Sequence, residues 1–321
     1  MQAFACTFFK SRLWFGVRPK GAEGRKSMIV SASRRTDLPA FYAKWLVRRF
    51  EEGYVLVRNP FRFHQVEKVL LDPEHVDGIV FWTKNPVPLF PYLKRFEGYP
   101  YYFQYTLTSY GRDLEPGIPK KGACGVETFQ KLSEHIGKER IIWRYDPILV
   151  SERYCLLWHL KYFEQIARKL EGYTTQCTIS FLDLYPSIAG RMDALLVRPP
   201  NEREVQYLAK GLAQIAHTYG MRMQTCAEQM ELEEYGIAHG KCVDAELLSR
   251  IAGKPVCAGK GAAQRPGCGC APSVDIGAYG ACHGECQYCY ARRGSRAKMH
   301  LPDSPLLLGR LAQEDVVRER K

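Results

Sequence analysis

The sequence has no hydrophobic run long enough to cross a membrane and no typical secretory leader. A membrane span needs about 20 consecutive apolar residues. The opening run, MQAFACTFF, is soon interrupted by Lys10 and Arg12 and lacks a clear small-residue cleavage site. A chain of 321 residues can also build its own core, so its 12 cysteines do not fit the disulfide framework of a small secreted domain. We therefore expect a cytoplasmic chain without a membrane partner, whose cysteines bind metal.

Strong charge is absent from the body of the chain. The formal net charge is +12, but the excess of Lys and Arg is concentrated in residues 1–27 and 292–321. A mildly basic body gives only weak support for a nucleic-acid partner. We predict a basic, disordered N-terminal extension (1–27), one domain (28–291) with a cysteine-rich loop near its C-terminal end, and a basic C-terminal tail (292–321).

Familiar catalytic motifs are also missing. The glycine-rich segment from Gly259 to Ala263 lacks the Gly-Lys-Ser/Thr ending of a phosphate-binding loop. The histidines outside the cysteine-rich region show no paired ligand spacing, so solvated or packed imidazoles are expected there. The sequence therefore identifies no catalytic side chain.

Short β-branched and aromatic runs alternate with helical patterns. From Trp158 to Leu170, apolar residues recur on one helical face, and Asn201 with Glu204 resembles a capping box. This alternation predicts an α/β fold with a parallel sheet, organised as a partial or closed (β/α) barrel similar to a TIM barrel. The predicted strands are Ile29–Ser33, Gly78–Thr83, Tyr101–Thr108, Arg140–Tyr145, Cys177–Asp183, Met221–Cys226 and Ser273–Tyr279.

Polar side chains stand at or near the carboxyl ends of these predicted strands. Parallel α/β folds bind ligands at that edge of the sheet, so these side chains are expected to line one mouth. Any single one could instead form a structural salt bridge or cap, but together they suggest a pocket for a charged or zwitterionic ligand. The candidate cofactor-binding residues chosen by position are Arg34, Lys84, Arg144, Asp146 and Glu228.

Eight of the cysteines fall between residues 226 and 289. Cys282, Cys286 and Cys289 follow the last predicted strand and are separated by four and three positions. Three thiolates with this spacing can each bind one iron of a 4Fe–4S cubane and leave the fourth iron without a protein ligand. That iron can bind S-adenosylmethionine and reduce it to release a 5′-deoxyadenosyl radical. Tyr288 would shield the cluster and pack near the adenine.

The Cys-x3-Cys-x-aromatic-Cys pattern resembles the signature of the radical SAM superfamily, and residues 279–292 resemble the cluster loop of spore photoproduct lyases. The resemblance implies a 4Fe–4S cluster, S-adenosylmethionine and a reductant such as flavodoxin or ferredoxin. It leaves the substrate unknown, with nucleic acid among the options. In that superfamily the motif follows the first strand of a partial (β/α)6 barrel, whereas here it stands near the C-terminus. A circularly permuted barrel would reconcile the two orders.

The stretch from Met28 to about Lys321 also resembles the family called domain of unknown function eighteen forty-eight, which implies no particular reaction. The matching landmarks are SASRRTD (31–37), VLVRNPF (55–61), FWTKNP (81–86), WRYDPIL (143–149), TCAE (225–228), YGIAHGKC (235–242), CGC (268–270) and DIGAYGAC (275–282).

Four further cysteines, Cys226, Cys242, Cys268 and Cys270, are enough to ligate an auxiliary iron–sulfur cluster or a zinc ion. They could equally be small buried side chains. Two other functions stay open beside the radical enzyme. One is a zinc-stabilised protein that binds nucleic acid through its basic ends. The other is an iron–sulfur protein with an electron-transfer or sensing role.

Overall fold

The computed structural model describes residues 28–119, 122–256, 268–292 and 299–320, without the side chains of residues 122–124. The predicted N-terminal extension, residues 1–27, lies outside the described residues. The strands are β1 Met28–Ala32, β2 Tyr54–Arg58, β3 Gln65–Leu70, β4 Val76–Thr83, β5 Tyr101–Thr106, β6 Ile141–Ile148, β7 Gln176–Phe181, β8 Arg222–Thr225, β9 Ile237–His239, β10 Ser273–Asp275 and β11 Val316–Glu319. The α-helices are α1 Leu38–Phe41, α2 Ala43–Glu51, α3 Gly122–Ile136, α4 Leu156–Leu170, α5 Pro186–Ala194, α6 Glu202–Thr218 and α7 Ala245–Ala252, and 3-10 segments span Val87–Phe96, Lys138–Arg140 and Glu233–Tyr235.

The larger sheet has eight strands in the order β10-β1-β4-β5-β6-β7-β8-β9, and every neighbouring pair is parallel. The prediction of an α/β fold with a parallel sheet is therefore confirmed. All seven predicted strands are present, and the short strand β9 is an eighth that periodicity did not indicate. β10, the last of them in the chain, pairs with β1, the first.

The two faces of this sheet are covered differently. One face packs the apolar sides of α2, α3, α4 and α6 against residues such as Phe81, Phe103 and Trp143. On the other face α7 covers only an apolar patch that includes Tyr102 and Ile142. Nearer the carboxyl ends of the strands this second face, here called the inner face, carries the polar side chains of Gln104, Arg144 and Thr178. The helices on the first face therefore stabilise the sheet, while the polar part of the inner face is where a site can form.

A second, three-stranded sheet has the order β11-β3-β2. β2 and β3 form an antiparallel hairpin around Asn59, and β11 lies parallel to β3. Arg58 fastens this sheet by binding the buried carboxylate of Asp315, with 2.6 Å between its Nη2 and Oδ2. Part of the segment predicted as a basic C-terminal tail therefore forms a strand.

Local sequence explains where α6 begins. Asn201 accepts a hydrogen bond from the Glu204 amide at 3.1 Å, and the Glu204 carboxylate accepts one from the Asn201 amide at 2.8 Å. This reciprocal pair satisfies two amides that the first turn would otherwise leave without acceptors, and it confirms the predicted capping box. None of the helices in the described part of the chain is both long enough and apolar enough to span a membrane.

Candidate metal and cofactor site

The cysteine-rich loop is tied to the sheet through the carboxylate of Asp275 at the end of β10. Ser33 Oγ donates to Oδ1 at 2.6 Å, while Ser31 Oγ and the Arg34 amide donate to Oδ2 at 3.1 and 2.8 Å. Gly277 follows, where a Cβ would stand 2.1 Å from Ser33 Oγ. The strands of the larger sheet that come first and last in the chain, β1 and β10, are thus held together by this contact, which we call the clasp. This contact explains why SASRRTD and DIGAYGAC, far apart in sequence, act as one structural unit.

Beyond the clasp, Cys282, Cys286 and Cys289 lie on one turn-rich loop. The Sγ atoms of Cys282 and Cys286 are 3.5 and 3.8 Å from the point that a Cβ on Gly284 would occupy, so both sulfurs border the same space. Backbone amides of Asp37 and Gly284 donate to the Cys282 sulfur, although burial, the largest influence, raises the pKa of that thiol to about 11. Cys286 is buried and the other two are partly exposed. The thiols of Cys282 and Cys286 therefore border one space, here called the cysteine pocket, and Cys289 is close enough for its charge to act on Cys282.

Within the described ranges, no three His, Cys, Asp or Glu side chains converge as ligands of a single metal ion would. Thiolates on one zinc ion stand only about 4 Å apart, because each Zn–S bond is about 2.3 Å in a tetrahedral site. Thiolates on a cubane each bind a different iron and are therefore more widely separated. A single metal ion and a cubane therefore differ in the sulfur spacing that each requires.

The loop after β5 covers the cysteine pocket. A Cβ at Gly117 would stand 2.1 Å from the His283 carbonyl oxygen, so only glycine allows this approach. Behind it, the buried carboxylate of Glu115 accepts hydrogen bonds from Tyr288 Oη, from Thr108 Oγ1 at 2.9 Å and from Lys84 Nζ at 3.1 Å. Tyr288 is thereby fixed beside the cysteines.

Lys84 connects the cysteine pocket with the polar inner face of the sheet. Burial lowers the pKa of its ammonium group, and the neighbouring negative charges of Cys286 and Asp146 oppose that shift. Asp146 in turn accepts hydrogen bonds from Ser180 and from the buried Arg144, with 3.0 Å between Arg144 Nε and Oδ2. Three of the residues predicted from strand-tip position, Lys84, Arg144 and Asp146, therefore form one charged network.

The remaining two predicted residues flank this network. The Arg34 guanidinium is 6.0 Å from the centre of the Trp82 ring, and the Arg144 guanidinium is 5.1 Å from it. Trp82 Nε1 is buried and finds no acceptor among the residues that the structure describes. The indole N–H is thus available to a ligand bound between Arg34 and Arg144.

Glu228, the last of the predicted residues, accepts a hydrogen bond from the Phe181 amide at 2.8 Å. Burial raises the pKa of its carboxyl to about 7.

The second set of cysteines also comes together. Cys242 Sγ is 3.0 Å from Cys226 Sγ, and side-chain hydrogen bonds link Cys242 to Cys270 and Cys270 to Cys268. The amides of Cys242 and Val243 donate to Cys270 Sγ at 3.2 and 3.4 Å. Arg144 Nη1 donates to Cys242 Sγ at 3.0 Å. These four thiols arrive from three chain segments and form one chain of contacts.

Several residues of the site were not found by sequence reasoning. Glu115 lies in a loop with no periodic pattern, and Asp275 falls inside the predicted strand Ser273–Tyr279. Trp82 falls within the predicted strand Gly78–Thr83, where nothing in the pattern marks its indole. The one usable signal for the loop was Pro116–Gly117, a dipeptide that marks turns.

Comparison with known proteins gives one family and no named relative. The model of the family described as domain of unknown function (DUF1848) matches residues 29–291, which include both cysteine groups and all of the larger sheet except its first residue, Met28. No curated protein and no solved structure matches the chain. The match covers most of the sequence, and it agrees with the landmarks quoted above. The chain therefore belongs to the DUF1848 family.

Proposed function

We propose that this protein is a radical SAM-type enzyme with a 4Fe–4S cluster on Cys282, Cys286 and Cys289. The observation that supports this best is the position of these cysteines. They share one loop at the carboxyl end of a strand in a parallel sheet, beside a charged network on the inner face. Such edges are where α/β folds bind their ligands.

The donor set fits the group. Three thiols would leave one iron of a cubane open, since the imidazole of His283 in the same loop contacts Tyr42 Oη, at 3.1 Å. The sulfurs of Cys282 and Cys286 border one space, and amides already donate to Cys282 as they do to ligated thiolates. When bound, the cluster would supply the electron that cleaves S-adenosylmethionine.

The strand order supports the permuted barrel that the sequence suggests. β10 stands at one end of the sheet and pairs with β1, so in space it precedes the strand that comes first in the chain. A hydrogen bond at 2.9 Å from the Ala271 amide to the Val243 carbonyl joins the segment before β10 to the segment after β9. We infer that the sheet is curled into a barrel around its polar face, with β10 in the place of the usual first strand.

The residues around the thiols suit the two ends of S-adenosylmethionine. Tyr288, held by Glu115, offers an aromatic face beside the thiols for the adenine. Arg144, Asp146 and Lys84 provide both charge signs for the zwitterionic amino-acid end. The unpaired Trp82 indole N–H and the Arg34 guanidinium lie where a hydroxyl or carboxylate could accept from them. Glu228 is placed to accept from the amino group or from the substrate.

The test is anaerobic purification of the full chain followed by iron and sulfide analysis and reaction with S-adenosylmethionine. We expect a brown protein with about four iron atoms and four sulfides bound by the first cysteine group. After reduction with dithionite it should release 5′-deoxyadenosine, measured by chromatography. Cys155→Ala, which removes an exposed thiol at the start of α4, is the matched control and should keep both properties.

The two alternative functions give different results in the same experiment. A cluster that gives redox signals but never 5′-deoxyadenosine would replace the enzyme with an electron-transfer or sensing protein. A colourless protein with stoichiometric zinc and salt-sensitive binding to nucleic acid would replace both. An external reductant, flavodoxin or ferredoxin, would be needed only by the enzyme or the electron carrier.

A further inference from the structure

We propose that Cys226, Cys242, Cys268 and Cys270 hold a second metal centre, a single tetrahedral ion bound by four thiolates, either zinc or iron. This inference does not depend on the proposed function, because none of the four residues belongs to the Cys282–Cys289 loop.

The first argument is convergence from distant segments. Cys226 follows β8, Cys242 follows β9, and Cys268 and Cys270 precede β10. The parallel pairing of β8 with β9 brings the first two together, with their sulfurs 3.0 Å apart. The hydrogen bond from the Ala271 amide to the Val243 carbonyl, at 2.9 Å, brings the third segment beside them. Packing alone does not require four adjacent thiols, whereas metal coordination does.

The second argument is the set of donors directed at the sulfurs. Two amides donate to Cys270 Sγ, and the buried guanidinium of Arg144 donates to Cys242 Sγ at 3.0 Å. Hydrogen bonds to a sulfur that carries negative charge stabilise the thiolate, which is the form that binds metal. Donors of this kind would be of little use around neutral apolar thiols.

The spacing favours one ion over a cubane. Cys242 Sγ and Cys226 Sγ, 3.0 Å apart, are nearer to the separation of about 4 Å expected on a single tetrahedral ion than to the wider spacing of a cubane, whose thiolates each bind a separate iron. Within the described residues the four thiols do not converge on one point. Cys226 and Cys268 are the two ends of their chain of contacts, so binding of the ion would require these two side chains to turn towards the other two.

Cys268 and Cys270 suit the edge of such a site. Both are partly exposed, and they flank Gly269 in a loop, so solvent metal can reach them. Cys242 is fully buried beneath them, and Tyr102 Oη and Gln104 Nε2 bind its carbonyl oxygen at 2.7 and 2.9 Å. A bound ion would therefore fasten the loop before β10 to the inner face of the larger sheet.

The experiment uses the full chain with Cys282, Cys286 and Cys289 all changed to Ala, which removes the first cysteine group. Zinc, iron and acid-labile sulfide are measured by mass spectrometry and colorimetry after anaerobic purification. We expect about one zinc or iron ion per chain and no sulfide. Adding Cys268→Ser and Cys270→Ser should remove that ion, whereas adding Cys155→Ser should not.

A second measurement needs no variant in the site. In the wild-type chain, bound metal should protect Cys268 and Cys270 from alkylation, and a strong chelator should remove the protection, as read by peptide mass spectrometry. Metal-free protein, metal retained by the Cys268→Ser, Cys270→Ser variant, or alkylation unaffected by the chelator would each overturn the proposal. Several irons with sulfide in the triple-alanine variant would overturn the single ion in favour of a cluster. None of these outcomes decides the proposed function, because that function is tested by 5′-deoxyadenosine formation in the wild-type chain.

Discussion

The two cysteine groups are built in opposite ways. Cys282, Cys286 and Cys289 come from one loop, and their arrangement is largely written in their spacing. Cys226, Cys242, Cys268 and Cys270 come from three segments and meet only because β8, β9 and the segment before β10 are neighbours. In the first group the sulfurs of Cys282 and Cys286 border one space at Gly284, whereas in the second group the sulfurs of Cys226 and Cys242 are in contact. The difference fits a cluster with an open iron in one group and a closed single-ion site in the other.

The two groups are also linked, because a positively charged side chain lies beside each of them. Lys84 lies near Cys286 and Asp146, and Arg144 binds both Asp146 and Cys242. Asp146 is therefore common to the surroundings of the two groups. A change in one group can reach the other through this carboxylate, which makes reciprocal substitutions informative.

The largest expected effect is the loss of metal from one cysteine group while the other group keeps its metal. Cys286→Ala should abolish iron–sulfur absorption and 5′-deoxyadenosine formation, because a cubane needs all three thiolates of the loop. The single ion proposed for the second group should remain, measured as metal without sulfide. The matched control is Cys177→Ala, which removes a buried thiol in β7 that lies outside both groups. Loss of both metals in Cys286→Ala, with the control intact, would show that the groups are one site.

Breaking the link between the groups comes next. Arg144→Met should lower the free energy of unfolding by about 3 kcal/mol, because it leaves the buried side of Asp146 without its guanidinium partner. Urea unfolding measures this loss. The control is Arg198→Met, which removes an exposed pair with Glu204 and should cost less than about 1 kcal/mol. Equal losses of unfolding free energy in the two variants would mean that Arg144 contributes no more to stability than an arginine at the surface.

What the sequence could predict follows the same division between local and distant contacts. Strands, the Asn201 capping box and the spacing of Cys282, Cys286 and Cys289 all depend on residues a few positions apart, and each is read correctly from the chain. The strands of the hairpin around Asn59, YVLVR and QVEKVL, show no regular apolar–polar alternation, and the hairpin lies outside the repeating strand–helix order, so no local pattern predicts it.

The contacts that complete the site depend on register between distant strands. That Asp275 would bind Ser31 and Ser33 requires β10 to pair with β1 across most of the chain. The contact between Cys226 and Cys242 likewise requires the pairing of β8 with β9. No local pattern specifies such pairings, so the membership of the second group was predicted from cysteine number, and its geometry came only with the fold.

A third prediction concerns the buried histidine His159. His159 is fully buried, with Nε2 2.7 Å from the Leu149 carbonyl and Nδ1 3.0 Å from Tyr145 Oη. Burial lowers its pKa from 6.5 to about 4. Because the native pKa lies below the unfolded value, the stability that neutral His159 contributes to the folded protein is fully present above pH 6.5 and is lost as the pH falls towards 4. The loss amounts to about 3 kcal/mol, at 1.36 kcal/mol for each pH unit.

Urea unfolding of His159→Gln at several pH values isolates this contribution, because glutamine can still donate to Leu149 but does not titrate. The variant should show a weaker pH dependence than the wild type, by about 3 kcal/mol across that interval. His217→Gln, at an exposed position near the end of α6, is the control for the replacement of a histidine by glutamine. Identical pH dependence in wild type and His159→Gln would mean that His159 has the same pKa in the folded and in the unfolded protein.

The smallest expected effect tests whether the clasp between β10 and β1 serves the first group alone. Gly277→Ala would place a Cβ 2.1 Å from Ser33 Oγ and 2.8 Å from Ser33 Cβ, so the Ser33 side chain must move away from Asp275. Overpacking of this kind costs about 1–3 kcal/mol. Because the clasp positions the cysteine loop, iron–sulfur content should fall together with stability, whereas the second metal should be retained. Adding Ser33→Gly removes the colliding atoms and should recover part of both losses, a non-additive result expected only of residues in contact. Loss of stability in Gly277→Ala without any loss of iron would instead separate the clasp from the cysteine loop.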